Sequence, residues 1–337
     1  MATASGTRDL QQLGVNLGGI VDVNIDLGAA LGISLQLGTT VGINPVRGGG
    51  LLNLLPSLPA LDPSSLVLPA LPIRQSGNGI SYRGGNIMTN PTVYLIYYGN
   101  WAPSNVGPDA QDIITNFVQN YAGSPLYRIA TGYWDQQNFV QQVHGYGGSY
   151  SDPGSEGTVL TLQNMVKVIA KAVKAGAFPL DFNGIYAILG APEIDTDYNG
   201  SFGSCSNYCA FHTNFGAPGK QIKYTFVGNT AQKCYSACTA TPTPGNGPNG
   251  NPAIDSMVSI LAHELVETVT DPLGSTWYDD NKAEVADKCV YNYVLNPTLA
   301  TIPSGAAYNM IIGSRPYLIQ GLWVNSLGGS CGIIAPY

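Results

Sequence analysis

The chain has 337 residues, which is long enough for one large domain or two modest ones. Only 10% of its residues are charged and the formal net charge is −7, whereas about 25% of residues are charged in typical soluble proteins. The negative charge and the absence of basic runs argue against nucleic acid or an anionic membrane as partner. No apolar run reaches the roughly 18 residues of a spanning helix, so we expect no membrane span.

The segment from Leu13 to Ile43 alternates apolar and polar residues with a period of two. A single strand of that length would extend about 100 Å. We therefore expect it to fold into short strands at its glycines or to extend across neighbouring molecules. We interpret residues 1–44 as a β tail that donates a strand to a neighbour's sheet, and head-to-tail donation builds a filament. The alternative is a tail that packs back on its own domain.

Residues 45–76 are rich in Leu and Pro, and repeated prolines exclude both helix and central strand. We interpret them as an extended, polyproline-like linker before a globular domain over residues 77–337. In that domain, β-branched and aromatic runs predict strands, and helical periodicity predicts helices. The predicted strands are Thr92–Tyr98, Gly184–Gly190 and Gln221–Gly228, and the predicted helices are Asp109–Tyr121 and Leu160–Ala177. This order is typical of an α/β or α+β fold with helices packed on a mixed sheet.

The stretch from Ser256 to Asp287 carries the clearest functional signal. Its first half is apolar on nearly every side, which predicts a buried helix that ends before Pro272. His263, Glu264 and Glu267 lie in this helix, and ionisable groups in a buried helix are costly unless they are paired or bind a metal. His263 and Glu267 are four residues apart and share one face, with Glu264 beside them.

This pattern is similar to H-E-x-x-H on a metalloprotease helix, where two histidines hold zinc and the glutamate activates water. Glu267 replaces the second histidine here, and a carboxylate can ligate zinc in its place. We predict a divalent-metal site, with zinc the expected ion, on His263, Glu267 and one or both of Glu284 and Asp287. Glu264 is the candidate general base. The alternative is that His263 is a hydrogen-bonded core residue and the glutamates lie on a solvated edge.

Six cysteines occur in three sequence pairs, which are Cys205 with Cys209, Cys234 with Cys238, and Cys289 with Cys331. They lack the tight C-x-x-C spacing of a zinc knuckle, so we predict disulfides, with cross-links between the first two pairs and a separate Cys289–Cys331 bridge. Disulfides and a sequon at Asn199 favour a secreted glycoprotein. The first residues, MATASGTRDLQQ, carry no secretory signal, so we expect that a signal is removed or lies outside this numbering.

The two remaining histidines, His144 and His212, are interpreted as structural hydrogen-bonding residues. His212 follows Cys209 closely, which leaves a second interpretation open. A disulfide-bonded loop could direct His212 into the metal site as an acid or a substrate-binding group.

Several segments together resemble the EXORDIUM or phosphate-induced family of secreted proteins. They are GGNIMTNPTVYLIYYGNW, DFNGIYAILGAPEID, SCSNYCAFHTNF, VGNTAQKCYSAC, ETVTDP and YNMIIGSRPYLIQGLWV. The resemblance extends from about Ser81 to Cys331 and does not include residues 1–75. It implies an extracellular or cell-wall location and a link to growth. Plant members share the T-V-T-N/D-P step without H-E-x-x-E before it, so this chain resembles a metal-competent branch that is similar to zincin metallopeptidases.

Two functional hypotheses follow. In the first, the chain is a secreted structural protein that builds a homopolymeric filament through its tail, carries a zincin-like metal site, and has cell-wall or glycan components as further partners. In the second, it is a metal-dependent hydrolase similar to metallopeptidases, in which Glu264 takes a proton from metal-bound water. A ligand set closed by Glu284 and Asp287 would indicate a structural metal, and a position open to water a catalytic one.

Overall fold

The computed structural model describes residues 22–23, 35–36, 41–42, 79–197, 203, 208–231, 238–239, 247–293, 300–325 and 328–335. Three residues of the sequence analysis, Asn199, Cys205 and Cys234, lie outside these ranges, as do most of the predicted tail and linker.

The described residues combine one large sheet with helices and several small strand pairs. The helices are α1 (Pro103–Val106), α2 (Ala110–Tyr121), α3 (Leu162–Lys174) and α4 (Pro252–Thr270), with short 3-10 turns at Tyr127–Gly132 and Asp287–Cys289. The strands are β1 (Asp22–Val23), β2 (Leu35–Gln36), β3 (Val41–Gly42), β4 (Ser81–Tyr82), β5 (Thr92–Tyr98), β6 (Gly145–Asp152), β7 (Val159–Leu160), β8 (Gly184–Gly190), β9 (Asp195–Thr196), β10 (Ala210–Phe215), β11 (Ile222–Val227), β12 (Trp277–Tyr278), β13 (Ala300–Thr301), β14 (Ala307–Tyr308), β15 (Met310–Ile312), β16 (Arg315–Tyr317), β17 (Leu322–Val324) and β18 (Ser330–Gly332).

The large sheet has six strands in the order β3-β10-β11-β8-β5-β6. Strands β6, β5, β8 and β11 run parallel, and β10 runs antiparallel to β11. The predicted mixed α/β architecture is therefore confirmed. Strands β5 and β8 are buried almost throughout, as expected for central parallel strands covered on both faces.

Helix α4 is buried over all of residues 253–270. It begins at Pro252, where the Asn251 side chain accepts the backbone N–H of Ile254, and it ends before Asp271 and Pro272. The helix packs against β10, β11 and α2, and the hydroxyl of Tyr121 on α2 donates to the carbonyl oxygen of Ala262 at 3.2 Å. The predicted buried helix is confirmed, and its contacts with the antiparallel edge of the sheet set the position of the candidate site.

The chain after α4 is held by covalent and backbone contacts. A disulfide joins Cys289, in the second 3-10 turn, to Cys331 in β18, which confirms that predicted pair. The backbone N–H of Trp323 in β17 donates to Val285 O at 2.8 Å. A second disulfide joins Cys209 to Cys238, in agreement with cross-links between the first two cysteine pairs. The Cys289–Cys331 bond fixes the segment that carries Glu284 and Asp287.

The described part of the tail consists of short strands. Strands β1 and β2 are antiparallel, with Val23 opposite Leu35. Strand β3 pairs antiparallel with β10, with Val41 opposite His212 and Gly42 opposite Phe211. In a single chain this pairing covers the edge of the chain's own sheet, and the donation of a strand to a neighbour stays a prediction.

Removing the Cys289–Cys331 disulfide is expected to lower the free energy of unfolding by about 2–4 kcal/mol. The bond closes a loop with a sequence separation of 42 residues, so the unfolded chain gains considerable conformational freedom without it. The double variant Cys289→Ala/Cys331→Ala is compared with wild type by urea unfolding under non-reducing conditions. Ser330→Ala, next to the disulfide, is the control, and its free energy of unfolding should be close to that of wild type. If the double variant had the same free energy of unfolding as wild type, the disulfide would not stabilise the fold.

Candidate metal centre

Helix α4 carries three ionisable side chains into the interior of the domain. His263 and Glu264 are 0% exposed and Glu267 is 1% exposed. Nε2 of His263 lies 3.1 Å from Oε2 of Glu267, as expected for residues four apart on one helical face. Because burying charge is costly, the groups that surround these side chains decide whether the helix can be stable here.

The segment after the helix returns to the same face. Oε1 of Glu267 accepts the backbone N–H groups of Ala286 at 3.1 Å and Asp287 at 3.0 Å. Oδ1 of Asp287 lies 3.4 Å from His263 Nε2, and its Oδ2 accepts the backbone N–H of Glu284 at 3.1 Å. Through these contacts, the helix and the returning segment together surround His263 with carboxylates.

Strand β10 contributes a second histidine, His212. Its Nδ1 lies 3.2 Å from Glu264 Oε2 and 3.8 Å from Glu267 Oε2, and its Nε2 lies 3.5 Å from Glu284 Oε2. The strand begins directly after Cys209, which is disulfide-bonded. His212 therefore lies among the predicted site residues, as the second interpretation allowed, and its hydrogen bond to Glu264 also agrees with the structural interpretation.

Gln320 is a neighbour of His263 that the sequence did not indicate. Its Nε2 lies 2.6 Å from His263 Nδ1 and donates to Ala286 O at 3.3 Å, while its backbone N–H donates to Ser259 Oγ. A primary amide has both donor and acceptor atoms, so it can support either tautomer of the ring. In the orientation that donates to Ala286 O, the amide nitrogen faces Nδ1, so Nδ1 accepts and a neutral His263 carries its proton on Nε2. A metal on Nε2 requires the reversed amide, whose oxygen accepts the Nδ1–H group of His263. Gln320 lies 57 residues after His263, too far for a short motif to reveal it.

Several atoms of the cluster have no hydrogen-bond partner in the described structure. They are His263 Nε2, Glu264 Oε1 and Glu284 Oε2, and all are buried. Most buried polar side-chain atoms in proteins are hydrogen-bonded. Three such atoms in one cluster are compatible with a bound ligand that would engage them.

The protonation of the cluster follows from burial and from the density of negative charge. Burial raises the pKa values of the Glu264 and Glu284 carboxyl groups well above the ordinary value for glutamate, and it also raises the pKa of Glu267. The negative charge of neighbouring carboxylates raises these pKa values further. Burial lowers the pKa of His212 to about 4. Burial disfavours the charged form of His263 as well, but the carboxylates of Glu267 and Asp287 outweigh it and raise its pKa well above 6.5. A bound cation would supply the positive charge that these carboxylates lack.

Two sets of donor atoms are close enough to hold a metal ion, with all atoms of a set within 4.8 Å of one another. They are His263, Glu267 and Asp287, and His212, Glu264 and Glu267. Tetrahedral ligands at about 2.1 Å from zinc lie about 3.4 Å from one another. The separations of 3.1 and 3.4 Å around His263 Nε2 are close to that value. The first set is thus spaced as ligands of one small cation.

The cluster contains every residue predicted as a metal ligand, namely His263, Glu267, Glu284 and Asp287, and also Glu264, the predicted general base. Asp287 faces His263, whereas Glu284 faces His212, so the two downstream carboxylates have different neighbours. Their action as ligands and the action of Glu264 as a base stay predictions. The remaining histidine, His144, bonds a backbone carbonyl oxygen through Nδ1 at 3.3 Å, in agreement with its structural interpretation.

Comparison with known proteins identifies the family. The family model described as the phosphate-induced protein 1 conserved region matches residues 80–333. The chain belongs to this family. Protein EXORDIUM-like 3 of Arabidopsis thaliana is 31% identical over 279 residues, which cover 72% of this chain and 80% of that protein. Protein PHOSPHATE-INDUCED 1 of Nicotiana tabacum is 25% identical over 279 residues, which cover 72% of this chain and 84% of that protein. No solved structure matches the chain.

Family membership confirms the resemblance seen in the sequence. The matched region contains the whole cluster, from His212 to Gln320. Relatives named EXORDIUM-like and the disulfides Cys209–Cys238 and Cys289–Cys331 are compatible with an extracellular location. Among the described helices, none has the length and apolar character needed to cross a membrane.

Gln320→Leu is expected to lower the free energy of unfolding by about 1–3 kcal/mol, because it leaves His263 Nδ1 buried without its amide partner. Urea unfolding measures the change. Gln119→Leu, on an exposed part of α2, is the matched control and should stay within about 0.5 kcal/mol of wild type. If both variants had the same stability, Gln320 would not support the ring.

Proposed function

We propose that this chain is an extracellular structural protein whose globular domain is held together by a buried divalent cation on His263, Glu267 and Asp287. One observation carries the proposal. Nε2 of His263 is buried and faces carboxylate oxygens of Glu267 and Asp287 at 3.1 and 3.4 Å, separations that a cation bound to all three atoms would also give. Backbone N–H groups engage the other oxygens of both carboxylates, which is the outer support that metal ligands usually have. With its amide reversed, Gln320 would accept the Nδ1–H group of His263.

The donor set favours zinc, which accepts imidazole and carboxylate ligands. Harder cations are the alternative, since two of the three ligands are carboxylates. Three protein ligands leave the fourth position of a tetrahedral ion open, so the structural role rests on the burial of the helix ligands, which are at most 1% exposed, and not on a closed ligand set. A cation here would tie α4 to the segment that bears Asp287 and would replace charge repulsion by attraction.

Purified protein is expected to contain a divalent metal. Removing it with EDTA should lower the melting temperature by about 6–12 °C, the shift for a ligand that contributes about 3 kcal/mol to a domain of this size. Elemental analysis and differential scanning fluorimetry measure both quantities. Metal affinity should fall as the pH is lowered, because protons compete for the same carboxylates and imidazole.

Asp287→Asn tests the ligand set directly. It should weaken metal binding and remove most of the EDTA effect on melting temperature. Asp109→Asn is the matched control, because Asp109 is exposed and its side chain makes no capping hydrogen bond. Protein without stoichiometric metal, or an Asp287→Asn variant that binds metal as wild type does, would overturn the proposed ligands.

Hydrolysis is the second candidate function. It is favoured by the position of Glu264, which lies beside the ligands and has Oε1 without a hydrogen-bond partner. In that mechanism Glu264 takes a proton from metal-bound water and passes it to the leaving group. The structural proposal predicts that metal-loaded protein does not cleave an unfolded protein substrate. Cleavage by wild type that Glu264→Gln abolishes, while metal content is retained, would establish the hydrolase instead.

Within one chain, the pairing of β3 with β10 is the arrangement of the alternative, in which the tail packs back on its own domain. Filament assembly is a proposal that the same pairing can be exchanged between copies. This pairing shows that the edge strand of the sheet accepts an antiparallel strand from residues 41–42. We propose that in an assembly the same pairing forms between copies of the chain, each donating its tail to the next. The low proportion of charged residues, 10%, is compatible with a protein that works in an assembly.

Deleting residues 1–44 is expected to convert filaments into monomers, as seen by negative-stain electron microscopy and light scattering. Val41→Pro should have the same effect, because proline disrupts strand pairing. Val67→Pro is its control, since it lies in a segment already rich in proline. Filaments that persist in the deletion variant would rule out this mode of assembly.

A further inference from the structure

The cluster contains a second set of donors that the proposed cation on His263 does not use. His212, Glu264 and Glu267 each offer one atom, and these atoms lie within 4.8 Å of one another. Oε2 of Glu264 is 3.2 Å from His212 Nδ1, while Oε1 of Glu264 is buried and has no hydrogen-bond partner in the described structure. Atoms without partners therefore occur in both donor sets, and a single ion on His263 leaves Glu264 unexplained.

The position of His212 suits a metal ligand. The residue is 2% exposed, its Nδ1 faces Glu264 and Glu267, and its Nε2 faces Glu284 Oε2 at 3.5 Å. A carboxylate behind an imidazole favours the ring proton on the nearer nitrogen and leaves the other nitrogen free to bind a cation. Glu284 Oε2 makes no hydrogen bond with His212 Nε2 in the described structure, and we propose that it would take this position when an ion is bound at Nδ1.

Glu267 lies between the two histidines. Its Oε1 is occupied by the backbone N–H groups of Ala286 and Asp287. Its Oε2 is 3.1 Å from His263 Nε2 and 3.8 Å from His212 Nδ1. A carboxylate oxygen that faces both imidazoles is placed as a bridging ligand, and the ions of two-metal sites lie about 3.5–4 Å apart.

When fully ionised, the cluster has the charge to bind two divalent ions, whereas burial favours the neutral forms of Glu264, Glu267 and Glu284 when no ion is bound. Its ionised carboxylates carry one negative charge each and belong to Glu264, Glu267, Glu284 and Asp287. One divalent cation offsets half of this charge and two offset all of it. The nearby Lys288 is engaged elsewhere, because its Nζ pairs with Asp279 at 2.9 Å. Uncompensated charge at this depth is costly.

We propose that the cluster holds two divalent cations that share Glu267. The first is bound by His263, Glu267 and Asp287, and the second by His212, Glu264 and Glu267. This inference rests on the proposed function, which requires only the first ion. The ligands of both ions are imidazole and carboxylate, which suit Zn²⁺ and Mn²⁺.

Metal stoichiometry and spin coupling test the proposal on the full chain. Native mass spectrometry and elemental analysis after Zn²⁺ loading should give two ions per chain. Loading with Mn²⁺ should give the electron paramagnetic resonance spectrum of an exchange-coupled pair rather than of isolated ions. His212→Gln should reduce the stoichiometry from two to one and remove the coupling, whereas His144→Gln, the control outside the cluster, should keep two coupled ions. If His212→Gln does not fold, the spectrum of Mn²⁺-loaded wild type tests the proposal, because a spectrum of isolated ions would overturn the second site.

The outcomes separate this proposal from the function on which it rests. One ion per chain that Asp287→Asn removes and His212→Gln retains would overturn the second site and leave the structural cation intact. Two ions per chain in the His212→Gln variant would overturn His212 as a ligand and, with it, the second donor set. No bound Zn²⁺ or Mn²⁺ in wild type would overturn both proposals.

Discussion

The structure depends on how a helix buried on all sides accommodates charge. Four of the 21 acidic residues of the chain lie in one cluster around α4. Hydrogen bonds satisfy only part of it, since each of Glu264, Glu284 and His263 keeps a buried atom without a partner in the described structure. Such a cluster would destabilise the domain if its charges remained uncompensated. A protein with so few charged residues that places several of them in its core has concentrated its electrostatic interactions where the dielectric makes them strongest.

The surrounding elements supply the groups that this helix needs. The antiparallel strand β10 brings His212 over the helix, the 3-10 turn after α4 brings Asp287, and the approach to β17 brings Gln320. These groups come from three separate parts of the chain and meet at the edge of the parallel sheet where β10 reverses direction. The antiparallel strand therefore does more than extend the sheet. It places an imidazole opposite the carboxylates of the helix.

Local sequence patterns predicted the central strands of the sheet well and its edge strands poorly. Strands β5 and β8 have their predicted bounds because continuous buried apolar runs are unambiguous. Strand β6 was missed because GYGGSYSD has neither an apolar run nor clean alternation, and it is only partly buried. Spacing within one helix identified His263, Glu264 and Glu267, whereas the contributions of His212 and Gln320 depend on pairing across distances of about fifty residues and more. Such contacts are set by the packing of the sheet. The closeness of His212 to Cys209 allowed its placement in the site as a second interpretation, whereas no local pattern indicated Gln320.

The disulfide Cys289–Cys331 and the proposed cation act on the same segment. The disulfide fixes the end of the segment that carries Asp287 and Glu284, so fewer conformations are lost when these residues gather around a metal ion. The cation in turn would bind only the folded arrangement, which stabilises the pairing of the two cysteines. Disulfide formation and metal binding would therefore reinforce each other. Disulfides persist in oxidising compartments, so an extracellular location, with which the two disulfides are compatible, would help the charged cluster remain in the core.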